Sequence, residues 1–170
     1  MKSRIACIAL LLLAAGLAVP AASNAQGLKI GPQLGINLDG SDVFIGLESQ
    51  FNLPVMESRE VWGNIGFDYY PFIDHVKASS VNVDVLFPFN VGSMEFYGGG
   101  GLLMKFVTID LPEGFPGDPS DSDVGIDLKA GFLFGSPESG YRPFIEINQT
   151  LGAGSDFLAR GGVFVAIGGR

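Results

Sequence analysis

The chain has 170 residues, 47% of them hydrophobic and 16% charged, with 18 acids against 10 Lys and Arg for a formal net charge of −8. That length fits one domain, and the acidity excludes nucleic acid as a natural partner, because phosphates call for Lys and Arg. Beyond residue 25 no run of about 18 apolar residues remains, which excludes a membrane-spanning helix. A closed barrel is the other structure that satisfies its backbone in lipid.

The chain opens MKSRIACIALLLLAAGLAVPAASNAQG. Lys2 and Arg4 precede an apolar stretch from Ile5 to Val19, and Ser23-Asn24-Ala25 supplies small residues for a cleavage site. This is the pattern of a secretory signal peptide cut after Ala25, so residues 1–25 are assigned to the signal and 26–170 to the mature domain. Cys7, the single cysteine, falls inside the signal, and the mature domain is expected to fold without disulfides. Loss of Lys2 and Arg4 takes the charge from −8 to −10.

The mature segment shows no long helical periodicity. Eight alternating runs follow one another instead: Leu28–Leu38, Val43–Phe51, Val61–Phe72, Ser79–Phe89, Glu95–Asp110, Val124–Phe134, Tyr141–Leu151 and Phe157–Gly168. Turn residues separate them, as in Asp39-Gly40-Ser41 and in Gly135-Ser-Pro-Glu-Ser-Gly140. Most breaks suit hairpins, which predicts an all-β antiparallel meander of strands long enough to cross a membrane at a tilt. With a periplasmic N-terminus, the longest break, Leu111 to Asp123, falls on the outer side. Pro32 lacks a ladder donor and predicts a bulge or distortion in the first strand.

Parity gives each strand two faces. One carries Leu34, Ile36, Ile45, Leu47, Phe67, Val81, Val83, Val85, Leu102, Met104, Ile126, Leu128, Ile145, Ile147, Val163 and Val165, and no charge. The other carries the acids Glu48, Asp68, Asp84, Glu95, Asp127 and Glu146 and the bases Lys29, Lys105, Lys129, Arg142 and Arg160. Six acids against five bases is nearly neutral, whereas the breaks and tail hold twelve acids against Arg59, Lys77 and Arg170. A closed interior demands such balance, since an unpaired buried ion costs several kcal/mol. The eleven charged residues are therefore expected to line the lumen as an ion-paired network, with the oily face toward lipid. Aromatics on the oily face fall in two sets, Phe51, Phe87, Phe89, Phe96, Phe132, Phe134 and Tyr141 near one end and Tyr69, Phe72, Phe106 and Phe157 near the other. These match interfacial girdles. The competing arrangement is a soluble, lipocalin-like periplasmic barrel with the valines inside around a hydrophobic ligand.

Other features point to little chemistry. His75, the only histidine, sits in a turn near Asp74, Ser79 and Ser80, at a spacing unlike a serine hydrolase set. No catalytic residue, cofactor or metal site is assigned; one histidine and no mature cysteine make a zinc site unfavourable. Asp118, Asp121 and Asp123 lie in the break Gly114–Asp123, whose spacing lacks the glycine and terminal glutamate of a Ca²⁺ loop and reads as solvated. Gly98 to Gly101 lies inside an alternating run and lets the strand bend or lumen side chains cross. Trp62 points inward as filling.

Signal peptide, eight alternating strands, a balanced polar face and no mature cysteine together resemble the small eight-stranded outer-membrane β-barrels: the OmpA transmembrane domain, OmpX and OmpW-like proteins. The resemblance covers the mature chain and carries no residue-by-residue motif. It implies an up-and-down transmembrane barrel in the outer membrane of a Gram-negative envelope, placed by the outer-membrane insertion machinery and surrounded by outer-membrane lipid. The expected function is non-enzymatic, in envelope integrity or narrow passage of small solutes. A lipid-modifying enzyme on the same fold is a further alternative. Eight strands leave room for little more than side chains in the lumen.

Overall fold

The structure, a computed structural model, describes residues 27–54, 59–73, 76–92, 94–109 and 120–167. The signal segment with its cleavage site, Asp74, His75, residues 111–119 and Arg170 lie outside these residues.

Eight strands follow in order: β1 (Lys29–Asn37), β2 (Val43–Asn52), β3 (Trp62–Tyr70), β4 (Val76–Val91), β5 (Met94–Ile109), β6 (Ser120–Leu133), β7 (Tyr141–Gly152) and β8 (Phe157–Ala166). Each pairs antiparallel with the next, and β8 closes on β1, so the sheet is a barrel with no free edge. Among the described residues no helix is long and apolar enough to cross a membrane.

The polarity is inverted, as alternation predicts for a barrel in lipid. Ile126 is 51% exposed and Leu47 also 51%, while Asp84 is 2% and Lys129 4% exposed. A soluble barrel with its valines inside is thereby set aside. The girdle at the end where β1 begins and β8 finishes is continuous over four rings. Phe89 stacks on Phe96 at 5.8 Å, Phe96 meets Phe132 at 5.7 Å, and Phe132 meets Phe134 edge-on at 4.7 Å.

The structure refines three local expectations. Pro32 makes no bulge but does interrupt the first strand: β1 pairs with β8 at Ile30–Val165 and resumes in the same register at Gln33–Gly162, so the ladder skips two residues without a shift. The missing N–H faces β8, while pairing to β2 runs through Pro32–Leu47 unbroken. β6 begins at Ser120, inside the expected break, so Asp121 and Asp123 stand on a ladder opposite Val107 and Lys105 instead of in an acidic loop. Met104 keeps its place on the oily face, where its register neighbours Val81 and Val124 flank it and leave it only 8% exposed.

The glycine run has a steric role. At Gly99 a side chain would begin 2.0 Å from the Val85 carbonyl, and at Gly101 1.9 Å from that of Val83. Only a residue without Cβ lets β4 and β5 approach this closely.

Candidate functional site

Strand register sorts the inward side chains by height into layers. Toward the end where β1 begins and β8 finishes, Trp62, Leu86, Tyr97, Leu133, Phe144 and Phe164 form one apolar cluster, each at most 2% exposed. Toward the other end Phe44, Tyr70, Ala78 and Leu158 form a second, with Ile73 and Val107 packed on it. Parity had marked the inward face as polar, so these two clusters correct that reading. The ring sizes explain how they fit. A Cβ on Gly35 would lie 2.1 Å from the Phe44 ring, one on Gly131 2.5 Å from Tyr97, and one on Gly162 2.7 Å from Phe144. Large inward rings lie over inward glycines of adjacent strands. This pairing is a signal visible in the sequence once register is known.

Between the clusters lies the charged layer. Lys129 is its hub. Its Nζ donates to Glu48 Oε1 at 2.9 Å and to Asn64 Oδ1 at 3.1 Å, and ion-pairs with Asp84 at 3.0 Å, Glu146 at 3.7 Å and Asp127 at 4.0 Å. Arg160 pairs with Asp68 at 3.2 Å and with Glu146 at 3.4 Å, and its guanidinium sits 5.2 Å from the Phe44 ring centre. Neutral groups complete the layer. Gln33 donates to Asp68 at 2.8 Å, Asn82 to Asp84 at 2.6 Å, Asn148 to Asp127 at 3.0 Å, and the Tyr97 hydroxyl to Glu146 at 3.0 Å.

Of the eleven charged residues assigned to the lumen, seven meet here: Glu48, Asp68, Asp84, Asp127, Lys129, Glu146 and Arg160. The other four do not join them. Arg142 pairs with Glu95 at the terminal mouth, below the aromatic cluster. Lys29 lies there too, donating to Gln50 at 3.2 Å with its Nζ 4.9 Å from the Trp62 ring centre. That mouth opens as a pocket of about 340 Å³ lined by Lys29, Glu60, Glu95 and Arg142 among others. Lys105 lies at the opposite mouth and pairs at 2.5 Å with Asp156. Asp156, in the turn before β8, and Glu60, which accepts the Trp62 indole N–H at 2.8 Å, were missed because both lie in breaks where parity assigns no face.

Little in this arrangement can do covalent chemistry. Ser80 is buried, its hydroxyl 3.5 Å from Asp68, and Ser79 stands on the opposite, outward face of β4. Among the described residues no group of three or more His, Cys, Asp or Glu is placed to hold a metal ion.

No protein-family model and no curated protein matches the sequence. Solved structures do match in fold. The N-terminal β-barrel domain of Pseudomonas aeruginosa OprF superimposes with a TM-score of 0.63 at 14% identity, covering 81% of this chain and 95% of that one. Ail, the attachment invasion locus protein of Yersinia pestis, gives 0.52 at 15% identity, covering 81% and 93%. The outer membrane enzyme PagL gives 0.50 at 13% identity, covering 82% and 99%. The fold is that of the small eight-stranded outer-membrane barrels.

Proposed function

We propose that the chain is a non-enzymatic outer-membrane protein that serves envelope integrity as a closed, lipid-embedded barrel and passes no solute. The lumen carries this reading. Two apolar clusters close it above and below a buried ionic layer, and a solute would have to displace both. The oily exterior and its ring girdle are the surfaces through which such a barrel acts, with outer-membrane lipid as its neighbour and the insertion machinery as its route into the membrane. An enzyme on this fold, as PagL is described to be, would need an accessible nucleophile, and Ser80, buried against Asp68, does not supply one.

The test is electrical. Purified barrel reconstituted in a planar bilayer is expected to leave the membrane resistance unchanged at moderate voltage. Deletion of the gene is expected to sensitise cells to detergent without slowing uptake of small nutrients. Regular single-channel steps from the wild-type barrel would reject the closed-lumen reading.

A further inference from the structure

The near balance of charge along the inward face conceals a separation by height. Lys29, Arg142 and Lys105 stand at the mouths, outside the apolar clusters. Inside, between the clusters, five carboxyls (Glu48, Asp68, Asp84, Asp127 and Glu146) face two bases, Lys129 and Arg160. Five acids less two bases leaves a formal charge of −3 in a layer whose members are at most 4% exposed.

Hydrogen bonding shows the same imbalance independently. Glu48 Oε2, Asp84 Oδ1 and Asp127 Oδ1 have no donor, nor do the amide oxygens of Gln33, Asn82 and Asn148. With Glu146 Oε1 these make seven acceptors without a hydrogen bond, against three donors in the same state, the amides of Gln50 and Asn64 and the Arg160 Nε that faces Glu146 Oε1 at 3.4 Å. The amide oxygens are not acidic, so their orphaned state is not a restatement of the charge count. The layer is short of donors as well as of positive charge.

One addition corrects both shortages. A proton on a carboxyl removes a charge and supplies an O–H donor. The carboxylates that converge do so on the Lys129 amine, which already fills the cation position, and among the described residues no group of three or more is placed to hold a metal ion. We propose that the sealed layer holds bound protons at neutral pH, shared among the carboxyls that surround Lys129, and that the barrel takes them up when it folds. The groups facing one another come from seven strands: Glu48 on β2, Asp68 on β3, Asp84 on β4, Tyr97 on β5, Asp127 and Lys129 on β6, Glu146 on β7 and Arg160 on β8, with the neutral Gln33 from β1. Because they interact, the protons belong to the layer as a whole and not to one residue. The two apolar clusters keep bulk water away, so exchange of these protons is tied to opening of the barrel.

The experiment is a proton count on folding. Urea-unfolded mature chain carries ionised carboxylates at about pH 7.5. On dilution into detergent micelles in weakly buffered solution with a pH indicator, wild type is expected to absorb about one to three protons per chain, the surplus that makes the buried ions costly. A variant with Asp84→Asn and Asp127→Asn, isosteric and neutral, is expected to fold and to absorb fewer. The infrared carbonyl stretch of protonated carboxylic acid is expected in folded wild type and lost on unfolding. No uptake by wild type, or folding that requires a particular alkali cation in its place, overturns the proposal. So does a double variant that folds and absorbs as many protons as wild type, which would put the protons elsewhere.

Discussion

Lys129→Met is expected to lower the stability of the folded barrel by about 3–5 kcal/mol, the cost of breaking a buried pair by removing one partner. The side chain is wholly buried, and four carboxyls, those of Glu48, Asp84, Asp127 and Glu146, lie within 4.0 Å of its Nζ. Methionine fills the space but leaves those groups facing each other with Arg160 as the only base in the layer. Urea titration in detergent micelles, followed by heat-modifiable gel mobility, reads the effect. Adding Glu48→Gln and Asp84→Asn to Lys129→Met is expected to restore much of the loss. A Lys129→Met barrel as stable as wild type would mean that this amine organises nothing.

The second large effect belongs to the exterior. Leu47 stands on β2 at the height of the ionic layer, next to Glu48, and is 51% exposed. Its register partners are Pro32 and Phe67. An arginine there would sit near the middle of the hydrocarbon, and Leu47→Arg is expected to cost about 2–4 kcal/mol in bilayers. At the rim the same change is nearly free. Equilibrium unfolding from lipid vesicles measures it. The contrast with a soluble protein is direct, because Leu→Arg at a half-exposed surface site in water usually changes stability little.

Much of this was readable without coordinates. Alternation between Val43 and Asn52, or between Tyr141 and Gly152, is set by a face in lipid against a face in a lumen, and that contrast is local to each strand. Strand count, direction of polarity and the inward parity of the seven charges in the central layer follow from it. The ends of β6 and β4 were misplaced for a related reason. Ser120 to Asp123 and Val76 to Ala78 continue the ladder beyond the oily belt, where the outward face need not be apolar and the two-residue rhythm fades while backbone pairing goes on. The layering was hidden for a different reason. Whether Phe44 shares a height with Tyr70, or Lys129 with Glu48 eighty-one residues away, depends on register summed around the barrel, and no single strand contains it. Balance counted along the whole inward face therefore missed that the bases stand mostly at the mouths.

The central claim is that oily side chains clothe the barrel while ions lie sealed within it. The single cysteine, Cys7, lies in the expected signal segment, so a cysteine at Leu128 can be labelled alone. Leu128 is 46% exposed and adjoins the hub Lys129 along β6. For a spin label on Leu128→Cys in lipid bilayers, collision with dissolved oxygen is expected to dominate over collision with a water-soluble nickel chelate. Dominance of the nickel chelate would place that face in water and contradict the account.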